Sequence, residues 1–276
     1  MTFRYQRSYR GKLQAVLLDW AGTTMDYGCI APAVVFVEVF KRKGVPISME
    51  EARAPMGAHK RVHIERITQL ESVRRRWQER HGRPPNDGDV EAMFKEFVPL
   101  QLECLSDYSQ MIPGALDAVR ALRGRGYKIG STTGYNTEMM AINLADARTQ
   151  GYEPDSTVCA SDVPHGRPYP YMCLQNVINL GVSPVEACVK VDDTRPGIEE
   201  GLNAGMWSIG LAISGNEIGL SLADWNKLPT PDQERLRRGA YERMYQTGAH
   251  YVVDTIADLL PCLDDIERRL ARGERP

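Results

Sequence analysis

Residues 15–24 read AVLLDWAGTT, four apolar side chains closed by an acid and followed by a small-residue turn. A short unbroken apolar run fits a parallel strand buried on both faces better than an alternating, half-exposed one. Ligands of open α/β sheets gather beyond the carboxyl ends of the strands. The strand predicted over Ala15–Asp19 therefore delivers the Asp19 carboxylate to the place where a site would form.

Beyond Pro113 the chain alternates between helix and strand signals. A helix over about Ala115–Arg123 stops at Gly126, and five strand-like segments follow: YKIGSTT (127–133), STVCAS (156–161), CVKVDD (188–193), WSIGLA (207–212) and HYVVD (250–254). With helical stretches between them, they predict right-handed βαβ crossovers in a doubly wound, Rossmann-like parallel sheet of the α/β class. The segment from Asp254 onward reads as an amphipathic closing helix with a charged tail.

The region between the first strand and Pro113 has no convincing strand. Pro32 sits near the first turn of a helix that stops at Gly44, and Ser48 with Glu51 forms a capping-box pair. A long charged helix is expected over much of His59–Arg80, then the breaker GRPPNDGD (82–89), then a helix over Val90–Leu105. The predicted organisation is a core domain of residues 1–25 and 113–276, with a helical cap domain of residues 26–112 inserted after the first strand and lying over the strand ends.

A chain of 276 residues accommodates one α/β domain with such an insertion. Its 42% hydrophobic and 25% charged residues and its net charge of -2 give no footprint of a nucleic-acid or anionic-membrane binder. Positive charge for an anionic ligand must then be gathered locally. The six cysteines are scattered without a C-x-x-C pair, which disfavours zinc and a disulfide framework and fits a reducing cytoplasm. The basic start MTFRYQRSYRGK lacks the apolar stretch of a signal peptide, and no run approaches the roughly 18 apolar residues of a membrane span. A cytoplasmic protein is expected. The run RRRW (74–77) reads as a solvated helix face, and His59 with His63, four apart, lacks a third ligand for zinc.

Three later segments supply partners for Asp19. Thr133 lies in YKIGSTTGY, Arg167 in HGRPYPYM, and VDD ends at Asp193. Each has a plainer reading on its own, as a turn threonine, a solvated arginine or a turn acid. Taken in order with DWAGTT, they resemble the four motifs of the haloacid dehalogenase superfamily. The resemblance implies that Asp19 is a nucleophile and that the Thr133 hydroxyl binds the transferred phosphoryl group. It places Arg167 where a lysine is usual, with a guanidinium able to pair both the nucleophile and a phosphonate oxygen. It also implies magnesium held by Asp19, Asp193 and a backbone carbonyl such as that of Ala21.

Ala21 is where phosphatases of that superfamily carry a second aspartate, which protonates a leaving alkoxide and later activates water. The stretch APMGAHKRVHIERI (54–67), with DWAGTTMDYGCIAP, GSTTGY, GRPYPYM, VDDT and EGLNAGMW, resembles the phosphonoacetaldehyde hydrolase family over nearly the whole chain. That resemblance implies that Lys60 condenses with a substrate aldehyde, and that Met56, Gly57, His63, Cys29, Thr133 and Tyr135 surround it. It further implies a homodimer paired through the cap helices.

The chemistry accounts for the pairing of Ala21 with Lys60. Attack on phosphorus would expel a carbanion unless a protonated imine takes up its electrons, and departure as an enamine needs no acid beside the nucleophile. A free lysine is neutral in only about one molecule in 2,500 at pH 7, and lowering its pKa by roughly three units costs about 4 kcal/mol. Lys60 lies near a helix N-terminus and shares a face with Ile64 and Ile67, both of which disfavour its charge. Two other readings remain at this point: another superfamily enzyme acting on a phosphate ester or a haloacid, and a catalytically silent binding protein on the same fold.

Overall fold

In the computed structural model, which describes residues 8–276, the segment Ala15–Leu18 forms β1 with every side chain buried. Asp19, the expected last residue of that strand, stands one residue past its end, its N–H donating to Val191 O at 3.1 Å. Residues 1–7, most of the basic stretch MTFRYQRSYRGK, lie outside the described residues. Five more strands follow: β2 (Lys128–Thr133), β3 (Ser156–Cys159), β4 (Cys188–Asp192), β5 (Trp207–Leu211) and β6 (Tyr251–Val253). All pair in parallel, in the order β3-β2-β1-β4-β5-β6. Winding reverses between β1 and β4, so a crevice opens at their carboxyl ends. Leu18 is in register with Val191, which brings Asp19 beside Asp192 and Asp193.

Between β1 and β2 the chain builds α1 (Ile30–Arg42), α2 (Met49–Arg53), α3 (Lys60–Gln69), α4 (Glu71–His81) and α5 (Asp87–Cys104). Helix α1 begins two residues before Pro32, because both Asp26 carboxylate oxygens accept from its first N–H groups, those of Ile30 at 2.9 Å and Ala31 at 3.0 Å. The Ser48–Glu51 capping box is present, and Glu51 also binds Arg76 of α4 at 2.6 Å. Arg76 is therefore paired and Trp77 buried, so RRRW is only partly the solvated face expected. The single helix expected over His59–Arg80 is two helices. Thr68 returns its hydroxyl to Glu65 O at 2.6 Å, and Leu70 turns to φ −60°, ψ 131°. An Asn86/Asp89 capping box starts α5 three residues before Val90.

The other helices cover the sheet: α6 (Ala115–Gly124), α7 (Thr137–Thr149), α8 (Tyr171–Leu180), α9 (Arg195–Asn203), α10 (Leu222–Lys227), α11 (Thr230–Tyr245) and α12 (Leu259–Ala271). The closing helix expected from Asp254 begins at Leu259, after one tight turn at Ile256–Asp258. One apolar cluster runs from Val16 and Val191 in the sheet through Phe36, Phe40 and Phe97 to Ile64 and Trp77, so the helical layer shares the core of the sheet. No helix among the described residues is long and apolar enough to cross a membrane, and the six cysteines are free.

Leu17 faces the other side of β1 and packs with Cys173, Leu180 and Met206. Leu17→Ala is expected to cost about 2–5 kcal/mol, through lost burial and the cavity left behind. Urea unfolding followed by circular dichroism checks this; a loss below about 1 kcal/mol would contradict the packing described.

Candidate active site

Asp19 is 5% exposed, in surroundings that would normally protonate a carboxylate. Its pKa is raised: burial is the first cause and Asp192 adds to it, while Arg167 and Lys190 oppose the rise without cancelling it. Arg167 Nη2 donates to Asp19 Oδ1 at 2.7 Å and also to Thr132, at 3.0 Å to the carbonyl and 2.8 Å to Oγ1. Arg167 Nε donates to Glu200 Oε2 at 3.0 Å. Burial lowers the guanidinium pKa, but Asp192, Asp19 and Glu200 outweigh it and hold the pKa well above the ordinary value.

Behind this pair lies a layer of buried charge. Lys190 points out of β4 and donates to Asp192 Oδ2 at 2.7 Å, with Glu200 Oε2 at 3.8 Å. Asp192 Oδ1 accepts from the N–H of Thr194 at 3.0 Å and its hydroxyl at 2.7 Å, while Oδ2 also meets Arg167 at 3.2 Å. Burial raises Asp192, yet Arg167 and Lys190 outweigh it and its pKa falls below the ordinary value. Asp193 differs. Burial, Asp19 and Asp192 push it well above the usual range, and its partners are the Asn216 N–H at 2.7 Å and a weak contact from Thr23 at 3.4 Å.

Asp19, Asp192 and Asp193 present oxygens within 4.8 Å of one another, the spacing of a cation site. Both Asp192 oxygens are already engaged by Thr194, Lys190 and Arg167. Asp19 and Asp193 retain acceptor capacity, so they are the carboxylates fitted to an oxygen-loving divalent ion, with Asp192 supporting them. Ala21 lines the same cavity as Asp19.

The facing wall comes from the helical layer. One narrow cavity is lined by Asp19, Ala21, Thr133, Tyr135, Arg167 and Thr194 from the sheet side and by Cys29, Met56, Gly57 and Lys60 from the other. Gly57 has φ +90°, and a Cβ there would lie 2.4 Å from Thr194 Oγ1, so only glycine lets this loop come so close. Lys60 starts α3 and is 6% exposed, its Nζ 4.6 Å from the Tyr135 ring centre. Burial lowers its pKa to about 8, against the pull of Cys29 and Asp19. Thr133 Oγ1 accepts from Tyr135 N at 3.1 Å, which leaves its hydroxyl proton free for a ligand. Burial raises both the Cys29 thiol and the Tyr135 phenol well above their ordinary values.

His63 lies outside that lining. Its Nε2 meets Ala52 O at 2.7 Å and its ring stacks on Phe36 at 3.8 Å, so it sits one layer behind Lys60 and stays neutral by burial. The His59 ring lies tilted beside Phe94 instead, at 5.7 Å between ring centres, and the two histidines form no metal set among the described residues. A wider groove of about 520 Å³ runs past Arg120, Arg123 and Asp155, and it contains no comparable set of reactive groups.

Residues 13–205 match the family model of haloacid dehalogenase-like hydrolases. The chain belongs to that family. This hydrolase is 48% identical to a phosphonoacetaldehyde hydrolase of Hahella chejuensis, over 100% of the chain and 94% of the relative. It is 47% identical to one of Paraburkholderia xenovorans, over 96% and 99%. Its structure superposes on the crystal structure of a phosphonoacetaldehyde hydrolase-like protein from Oleispira antarctica with a TM-score of 0.97, at 43% identity over 100% of both chains.

Within this hydrolase, Lys190, Asp192 and Glu200 are the site residues that the motif reading overlooked. A lysine inside the apolar run CVKVDD was the available signal, since a strand buried on both faces tolerates a charge only with partners. Lys190→Met leaves Asp192 and Glu200 short of a cation and is expected to cost about 3–5 kcal/mol of folding stability. Urea denaturation reads this out, and a variant as stable as the parent would refute the pairing.

Proposed function

We propose that this hydrolase cleaves the carbon–phosphorus bond of phosphonoacetaldehyde, releasing acetaldehyde and phosphate, with residues 26–112 acting as a cap over the core. The observation that carries the reading is a buried lysine of lowered pKa facing a nucleophile-type aspartate across one cavity, with Ala21 where an ester hydrolase needs its acid. A buried amine whose pKa is lowered to about 8 suits carbonyl condensation and has no task in ester hydrolysis or dehalogenation.

In this account Arg167 and the Thr133 hydroxyl receive the phosphonate, and the aldehyde points to the cap wall. The neutral Lys60 amine adds to the carbonyl carbon and water leaves, giving an imine that is protonated. An Asp19 oxygen then attacks phosphorus. The electrons of the breaking carbon–phosphorus bond pass into the protonated imine, and the leaving group departs as a neutral enamine. Water hydrolyses the aspartyl phosphate, and the enamine takes a proton at carbon before its imine is hydrolysed to acetaldehyde and free Lys60. Magnesium is assigned to Asp19, Asp193 and the Ala21 carbonyl, where it would offset the repulsion between nucleophile and phosphonate. Met56, Gly57, Cys29 and Tyr135 enclose the aldehyde end, and His63 supports Lys60 from behind. A cytoplasmic homodimer belongs to the same reading.

The test is release of phosphate and acetaldehyde from phosphonoacetaldehyde. Turnover should require magnesium and stop with EDTA. Lys60 gains its nucleophilic form as pH rises, so kcat/KM should climb with pH and level off above about 8. Lys60→Arg keeps the charge without an accessible neutral amine and should lose at least about 10³-fold in kcat. Comparable turnover by that variant, or release of phosphate from simple esters in place of the phosphonate, would overturn the assignment.

A further inference from the structure

Cap and core meet at a second place besides the cavity, and one side chain makes most of the polar contact there. Arg53 ends α2 and is half-buried. Its Nη1 donates to Gly28 O at 2.7 Å and Cys29 O at 3.3 Å, in the segment that enters the cap, and to Asn216 Oδ1 at 3.3 Å. Its Nη2 donates to Gly219 O at 3.0 Å, and Asn216 Nδ2 donates back to Arg53 O at 3.5 Å. All these acceptors are neutral oxygens, with no carboxylate among them. A planar fork of donors fixes several such acceptors at once, which a flexible ammonium cannot do.

The loop that Arg53 grips also seats Asp193. Asn216 N donates to Asp193 Oδ2 at 2.7 Å. A Cβ at Gly215 would lie 2.1 Å from Asp193 Cβ, so the loop backbone is pressed against that side chain. Three residues after Arg53 comes the loop of Met56 and Gly57, which leads directly into Lys60 and packs on Thr194. The cavity has only about 20 Å³ of free space, near the minimum for a single water, so a substrate enters only when the walls separate.

We propose that Arg53, with Asn216, is the positioning pair that seats the Met56–Lys60 loop over Asp19 and couples this seating to the loop behind Asp193. Release of the guanidinium lets the cap lift, and its return brings the Lys60 amine and the carboxylate pair into place together. The proposal rests on the functional reading above only for its effect on turnover.

Cys29 reports cap seating without any substrate. It lines the cavity at 3% exposure, while Cys173 and Cys188 are buried in the core at 0%. The parent, Arg53→Met, Arg53→Lys, Asn216→Ala and a control, Arg83→Met, which breaks a pair with Asp89 inside the cap, are treated with N-ethylmaleimide under native conditions. Peptide mass spectrometry then gives a rate for each cysteine. Both Arg53 variants should label Cys29 about tenfold faster or more, Asn216→Ala should shift the same way, and the control should match the parent. Cys173 and Cys188 should stay protected throughout. Unchanged Cys29 protection in Arg53→Met overturns the proposal, as does joint labelling of Cys173 and Cys188, which would mean that Arg53 merely supports the fold. On phosphonoacetaldehyde the Arg53 variants should lose kcat/KM with the same pH profile as the parent. If the parent itself fails to release phosphate, the functional reading falls while the labelling result still decides the role of Arg53.

Discussion

The Arg167 guanidinium donates to Asp19 at 2.7 Å in a place where both side chains are almost wholly withdrawn from water. A carboxylate so placed would take up a proton and lose its nucleophilicity unless cations stood against it. Arg167 can remain there only because Asp192 and Glu200 balance its charge, and these acids in turn need Lys190. The cluster is assembled from β1, β4, α9 and the segment before α8, so the winding of the sheet and the ionisation of one aspartate depend on each other. Four buried carboxylates, counting Asp193, face two cations within this cluster. The excess of negative charge is what a divalent ion would relieve.

The opposite wall solves the reverse problem. Lys60 is buried where the helical layer meets the sheet side, its amine near the rings of Phe36 and Tyr135, and this burial lowers its pKa to about 8. Each half of the cavity is unsuited to the task of the other: the core side is rich in charge and hydrogen bonds, and the cap side is apolar and close-packed. In the proposed reaction, attack at phosphorus and electron uptake by nitrogen cooperate only when the halves are brought together. The near absence of free volume in the cavity shows how closely they fit.

Much of this could be read from the chain. The apolar run ending at Asp19, the alternation after Pro113 and the strandless helical stretch identified the parallel sheet and the run of helices between β1 and β2, because burial on two faces and periodicity leave direct marks in sequence. Asp19, Thr133, Arg167 and Lys60 were visible through ordered motifs, and the cavity lining gathers them. Other features depend on contacts distant in sequence. The break at Leu70 has no glycine or proline to announce it, and it follows from a threonine bonding back to its own helix. Glu200, in a sequence that reads as an ordinary acidic helix, becomes buried only when α9 packs against β4. His63 shares the helical face of Lys60, but its ring turns toward Phe36 and Ala52, which spacing alone cannot foretell. Arg53 gave no signal, since its partners are backbone carbonyls and one asparagine side chain.

The central claim is that the Lys60 amine becomes covalently attached to the substrate while Asp19 performs the attack on phosphorus. Borohydride reduction in the presence of phosphonoacetaldehyde, followed by peptide mass spectrometry, tests it directly, with Asp19→Ala run beside the parent. Imine formation precedes attack on phosphorus, so the account predicts a reduced adduct on the Lys60 peptide in both proteins. The adduct of Asp19→Ala should retain the phosphonate, because its carbon–phosphorus bond has not been cleaved. Absence of any adduct at Lys60, or labelling of a different lysine, would contradict the account.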